Sequence, residues 1–197
     1  PYNSNDVSGS GVTYQTYSLP YLQTVYVDSA LTSYNHIQID YSGNFTTIDI
    51  LRLNDNLLVA SNYFSNTNNF VDSSVNANTT YSYQVTPYNY TRNAGDSLIM
   101  TTFSPAYIDT SFSYIQTQTT IQLFYNGAYD YISIAKVLSA SSSLILSSNW
   151  TNTSYTDTSL NTNSPYQYTI TPYHYDVCNN NTPVAGVTFT TPVIYTL

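Results

Sequence analysis

Few side chains in this chain can carry chemistry, and their spacing decides what chemistry that would be. Two histidines and one cysteine, His36, His174 and Cys178, are the whole stock of imidazole and thiol. His174 and Cys178 stand four residues apart, a spacing that offers two metal ligands, but a structural zinc takes four and no partners accompany them. A Cys-His nucleophile pair further needs an orienting third group and a pocket, and an array of repeats offers no reason for either. The lone cysteine excludes an intrachain disulfide. The carboxylates are all aspartates and scattered, with no Asp-x-Asp-Gly calcium loop. Asp72 and Asp157 recur at equivalent places in a repeat, which points to a role in the fold, such as capping a turn, and away from a glycosidase pair. The sequence therefore predicts no catalytic, cofactor-binding or metal-binding residues, and a protein that is not an enzyme.

Eleven acidic residues face only Arg52, Arg92 and Lys136, giving a net charge of −8 that leaves no basic surface for nucleic acid. Charged residues make up 7% of the chain, far below the roughly 25% usual in soluble proteins, so Asn, Ser, Thr and the 23 tyrosines must hydrate the surface. No apolar run approaches the roughly 20 residues of a membrane helix, and no membrane insertion is expected. Abundant β-branched and aromatic residues favour strands throughout.

The elements that must position these residues are written more than once. Pro1-Tyr2-Asn3, Thr86-Pro87-Tyr88-Asn89 and Thr171-Pro172-Tyr173-His174 place their prolines 86 and 85 residues apart, the length of a small sandwich domain. Ile37-Gln38-Ile39-Asp40-Tyr41 matches Ile121-Gln122-Leu123-Phe124-Tyr125, and Ser42-Gly43 and Asn126-Gly127 read as tight turns into a next strand. That strand runs Thr47 to Arg52 and Tyr131 to Lys136, with Arg52 and Lys136 equivalent. Middle strands follow at Leu57 to Ala60 and Ser143 to Leu146. Tyr81-Ser82-Tyr83-Gln84-Val85 and Tyr166-Gln167-Tyr168-Thr169-Ile170 then alternate as half-buried antiparallel strands. Closing strands are expected at Leu98 to Phe103 and Val187 to Phe189, and residues 1–20, with Val12 to Tyr17, read as the last hairpin of a preceding repeat or a donor strand. The domains are thus 1–20, 21–105 and 106–197, joined by hardly any linker.

Val75 and Leu160, each followed by a short turn and then Tyr81 or Tyr166, resemble the tyrosine corner of fibronectin type III and immunoglobulin-like sandwiches. The resemblance implies an all-β chain of tandem antiparallel sandwiches. It also implies that Tyr81 and Tyr166 turn their hydroxyls back to upstream backbone. The tryptophan usual in the second strand is absent, so Ile39 or Tyr41, and Leu123 or Tyr125, must fill that space. The Thr-Pro-Tyr-Asn wording is also similar to repeats in structural proteins of large double-stranded DNA viruses, which implies a place in or on a virion.

The resulting expectation is a structural protein, a minor capsid or surface fibre component, acting through contacts with other structural proteins or copies of itself. The alternatives are an extracellular filament or adhesion module of an archaeon or bacterium, and a carbohydrate-binding module stacking sugars on Trp150 and exposed tyrosines. Interaction residues are expected in the hairpin loops at Tyr88, Asn89, Arg92, Tyr173 and His174. The loop Arg92-Asn93-Ala94-Gly95-Asp96 lacks a contiguous Arg-Gly-Asp adhesion motif. Sequons at Asn44, Asn78, Asn89, Asn149, Asn152 and Asn180 permit glycosylation, at about the number the Asn, Ser and Thr content would produce by chance.

Overall fold

The computed structural model describes residues 18–29, 31–176 and 179–197. The N-terminal hairpin with its Pro-Tyr-Asn copy, and Cys178, lie outside these residues. The first sandwich uses β1 (Tyr21–Val27), β2 (Ile37–Asn44), β3 (Thr47–Arg52), β4 (Leu57–Tyr63), β5 (Asn69–Asp72), β6 (Thr79–Tyr88) and β7 (Leu98–Ser104). Its sheets are β1-β2-β5 and β4-β3-β6-β7, antiparallel throughout.

The second sandwich repeats the plan with β9 (Ser113–Gln116), β10 (Ile121–Phe124) and β14 (Ser154–Asp157) as one sheet, in the order β14-β10-β9. The facing sheet runs β13 (Ser142–Trp150), β12 (Tyr131–Ser139), β16 (Tyr168–Asp176), β17 (Thr182–Ala185), with β18 (Phe189–Thr190) also on β16. Two short ribbons complete it: β8 (Tyr107–Ile108) with β11 (Gly127–Ala128), and β15 (Pro165–Tyr166) with β19 (Ile194–Tyr195).

Alternation sends one face of each strand inward, as period two requires. Ile37, Ile39 and Tyr41 from β2 meet Ile48 and Ile50 from β3 and Tyr81, Tyr83 and Val85 from β6 in one buried cluster. Ile121, Leu123 and Tyr125 meet Ile132, Ile134, Tyr168 and Ile170 in the other. Both residues of each expected tryptophan-replacing pair are therefore buried, Ile39 with Tyr41 and Leu123 with Tyr125.

Two sequence expectations are corrected here. Gly43 and Gly127 do not sit in hairpin turns: Gly43 lies within β2 opposite Leu22, Gly127 pairs with Ile108, and β2 and β3 belong to different sheets. Glycine is needed because a Cβ at Gly43 or Gly127 would collide with the carbonyl oxygen of Tyr21 or Tyr107 in the strand alongside. The closing strand of the second sandwich is not Val187 to Phe189. It is broken into β17, β18 and β19, with β17 pairing Tyr173 to Asp176 and β18 pairing Thr169 and Ile170.

Asparagine carries most of the tight bends. Asn56, Asn62, Asn68, Asn78, Asn149, Asn163, Asn180 and Asn181 all have positive φ between 49° and 59°. Asparagine tolerates this left-handed region better than most side chains.

Candidate functional site at the junction of the sandwiches

Each sandwich has a crown, bearing the β2–β3 and β6–β7 loops or their counterparts, and a base, bearing the turn that leads into β6 or its counterpart. The base of the first sandwich stands on the crown of the second. Asn78, at φ 52°, reaches across. Its Nδ2 donates to Asp130 Oδ1 at 3.1 Å and its Oδ1 lies 2.8 Å from His174 Nδ1. With the amide donor given to Asp130, the Asn78 carbonyl faces the ring, so His174 Nδ1 is the donor. Asp130 is fixed in turn: its Oδ2 accepts the Tyr175 N–H at 2.6 Å and lies 3.4 Å from His174 Nδ1.

Rings close the junction. Phe103 of β7 stacks on His174 with centroids 4.7 Å apart, and Tyr34 stacks on Tyr107 at 4.4 Å. The Asn78 N–H donates to the Pro105 carbonyl at 3.2 Å, tying the turn to the connecting chain. His174 is 6% exposed, and its Nε2 is sealed from solvent without a partner among the described residues. Beside it runs an apolar crevice of about 360 Å³ that includes Val27, Phe103, Pro105 and Val184.

A second recurring constellation joins the two sheets within each sandwich. Arg52 is 5% exposed, and its Nη1 donates to Asp72 Oδ2 at 2.8 Å, while Tyr83 OH donates to the same oxygen at 2.8 Å. Ser74 N–H and Oγ donate to Asp72 Oδ1, and Arg52 Nη2 reaches Asp55 at 2.6 Å. In the second sandwich Lys136 Nζ donates to Asp157 Oδ2 at 3.0 Å and Tyr168 OH at 2.9 Å. The recurring aspartates were expected to cap turns. Asp72 does hold the Ser74 N–H, but the shared role is to receive the base and the tyrosine of the same repeat. Burial alone would lift the Asp72 carboxyl, but its hydrogen bonds from Ser74 and Tyr83 and the charge of Arg52 bring it below the usual range. Burial, then the bond to aspartate, raises the phenol of Tyr83 and that of Tyr168.

The corner tyrosines lie beside these pairs. Arg52 sits over the Tyr81 ring and Lys136 over the Tyr166 ring, at 5.3 and 5.4 Å. Tyr81 OH accepts the Asn76 N–H at 2.7 Å and Tyr166 OH accepts that of Asn161 at 2.8 Å. The hydroxyls thus receive backbone donors.

The remaining candidates disperse. His36 is held in its own loop, with Nδ1 2.8 Å from Ser33 Oγ and Nε2 2.8 Å from the Leu31 carbonyl. No group of three or more His, Cys, Asp or Glu gathers among the described residues. Arg92 stays exposed on its loop, lies 3.9 Å over the Tyr88 ring and pairs with Asp49 at 3.2 Å. Trp150 is no exposed platform. It packs edge-on against Tyr155 at 5.5 Å and gives its N–H to the Ser154 carbonyl, as Tyr63 packs edge-on against Phe70 in the first sandwich. Among the sequons, Asn44, Asn149, Asn152 and Asn180 are exposed, whereas the Asn78 amide is committed to the junction and Asn89 Oδ1 accepts from Thr91 and Asn93. Sequence reasoning missed Asn78 and Asp130 as a contact pair. The one signal available was that His174 breaks the repeat where the first copy has Asn89.

No family model matches the sequence, and no curated protein matches it. Among solved structures, the chain is similar to a two fibronectin type III domain segment from chicken tenascin, at 11% identity and a TM-score of 0.55, covering 89% of this chain and 99% of that one. It is also similar to the central fibronectin III array of a RIM-binding protein, at 12% identity and a TM-score of 0.36, covering 91% of this chain and 70% of that one. The tenascin likeness is one of fold: tandem fibronectin III-like sandwiches. Among the described residues, no helix is long and apolar enough to cross a membrane.

Proposed function

We propose that this chain is a non-enzymatic structural protein of a large virus particle, a minor capsid or surface fibre component that works by holding fixed spacing and by contacting neighbours. The observation that carries the spacing role is the junction. Asn78, Asp130 and His174 interlock between two ring stacks, so the connection resists bending where a flexible linker would swing. The contact role rests on a surface of Asn, Ser, Thr and Tyr with few charges, whose neutral hydrogen bonds depend little on salt. The virion setting rests on the Thr-Pro-Tyr-Asn wording and this composition.

The same features also suit an extracellular filament or adhesion module, and location separates the two. Antibody labelling of purified particles and of host cell surfaces is expected to mark the particles, with the protein retained in low salt. Label confined to cell surfaces, or release of the protein when salt is lowered, rejects the reading. Carbohydrate binding loses Trp150, which packs against Tyr155, as its platform and would fall to exposed tyrosines such as Tyr90.

A further inference from the structure

An exposed pair of apolar residues is written into the same edge of both sandwiches. β4 and β13 each end their sheet, and among the described residues no strand pairs with their outer side. The two edges agree in register as well as in place. Leu57 pairs with Arg52 as Leu144 does with Lys136, and Leu58 pairs with Leu51 as Ile145 does with Ala135. Each strand then bulges at the next residue, Val59 or Leu146, and again before Tyr63 or Trp150, where Asn62 and Asn149 take positive φ. Leu57, Leu58, Leu144 and Ile145 are all between 45% and 66% exposed.

Cross-strand partners share a face of the sheet. Arg52 and Lys136 turn inward to Asp72 and Asp157, so Leu57 and Leu144 face the groove between the sheets, and Leu58 and Ile145 face outward. In the first sandwich that groove holds about 530 Å³ and includes Phe70 and Val71. An antiparallel edge that met only water would carry polar residues on its outer face, and charge or proline usually blunts it. The opposite edge of the second sheet obeys this, for β17 carries Pro183. β13 does not: from Val137 to Thr156 the chain has no charged residue and no proline. The β4 edge is less bare, since Asp55 stands exposed in the turn before it and Arg92 reaches Asn62 at 3.3 Å.

We propose that β13 is a self-association edge, on which β13 of a second copy adds as an antiparallel strand. Charge is the first reason for a second copy. A chain of net charge −8 repels its own copies, so they can meet closely only where carboxylates are absent, as they are along β13. Register is the second. Ser143, Leu144 and Ile145 form the stretch without a bulge, and a two-fold axis through Leu144 maps it onto itself. Leu144 then opposes Leu144 and Ile145 opposes Ser143, with apolar contact on both faces of the joined sheet. The contact is isologous and closes as a pair. It deepens the structural reading above, on which it rests, by assigning the contact between copies.

The strand sets the strength of the pair. Its 9 residues, at about 3.4 Å each, make an edge about 30 Å long, and the bulges leave only part of it regular. That lies at the small end of specific interfaces, so the pair is weak in free solution. Copies held side by side in an assembly meet at a far higher effective concentration, where the same edge becomes a lateral contact. Backbone hydrogen bonds and apolar cover make it insensitive to salt.

The test is sedimentation velocity of the intact protein over a concentration series, with thermal melts to establish that each variant is folded. The wild type is expected to dimerise as it approaches millimolar concentration, equally in low and high salt. Ile145→Asp weakens the dimer about tenfold. Ile99→Asp adds the same charge at an isoleucine that is likewise 66% exposed, on the edge strand β7, and leaves the dimer unchanged. Leu58→Asp on β4 also leaves it unchanged. In a Cys178→Ser background, Leu144→Cys gives a disulfide-linked dimer with oxidised glutathione, because directly opposed Cα atoms stand about 4.5 to 5.5 Å apart, within reach of the bond. The proposal falls if the wild type stays monomeric to millimolar concentration, if Ile99→Asp or Leu58→Asp weakens association as much as Ile145→Asp, or if Leu144→Cys does not cross-link. Particle labelling is a separate readout, so a virion protein that stays monomeric refutes this proposal alone.

Discussion

At the same place in each sandwich a base, an aspartate and a tyrosine meet, but the two sets differ in how many donors the carboxylate keeps. Asp72 receives Arg52, Tyr83 and both the N–H and hydroxyl of Ser74, whereas Asp157 receives Lys136 and Tyr168. A similar exchange is seen at the crowns. Tyr131 stacks on Tyr173 at 4.8 Å in the second sandwich, and in the first the Arg92 guanidinium takes that place over Tyr88. Planar and cationic groups thus substitute for one another while the backbone plan stays fixed. What the fold retains is a filled position with its hydrogen bonds satisfied, and the side chain that fills it is negotiable.

The largest expected effect is removal of the base. Lys136→Met leaves Asp157 buried with one donor and should cost the second sandwich about 4 kcal/mol, while Arg52→Met leaves Asp72 three donors and should cost the first about 2 kcal/mol. Denaturant unfolding of each variant reads both values, and equal losses would break the link between donor count and cost. Next comes the corner: Tyr81→Phe strands the part-buried Asn76 N–H at about 1.5 kcal/mol, and Tyr166→Phe strands the exposed Asn161 N–H at about 0.5 kcal/mol. The same unfolding measurement orders them.

Acid should weaken the first sandwich more gently. Asp72 is depressed in the folded state, so its contribution is present above the unfolded value near 4 and is lost as pH falls through the lower folded value. A melting series between about pH 5 and 2 is expected to show the first sandwich weakening over that window. The buried phenols act oppositely. Tyr83 and Tyr168 are raised, so their contribution is intact below about pH 10 and declines above it. Tyrosinate absorbance from these rings should rise only together with unfolding, and a rise in folded protein would contradict their burial.

Much of the fold was legible because period-two alternation and an 85-residue repeat are local signals that tertiary packing reinforces. The Gly43 and Gly127 turns were misread because a glycine forced by close backbone approach leaves the same mark in sequence as one forced by a tight turn. The junction was legible only at His174. Asn78 looks like one more asparagine in a chain full of them, and what distinguishes it is the left-handed turn that aims its amide at a neighbour 52 residues on. Arg52 and Asp72 were each recognised as recurring, but their pairing joins strands of opposite sheets and has no sequence period to announce it.

The burial of these bases gives the protein a built-in reporter. Trypsin cuts only after lysine and arginine, and each sandwich covers one such residue, Arg52 buried in the first and Lys136 largely covered in the second, while Arg92 stands on an outer loop. Native protein would be nicked at Arg92 alone. Cleavage at the other two then clocks the opening of each sandwich separately, one scissile bond per domain, with no label attached.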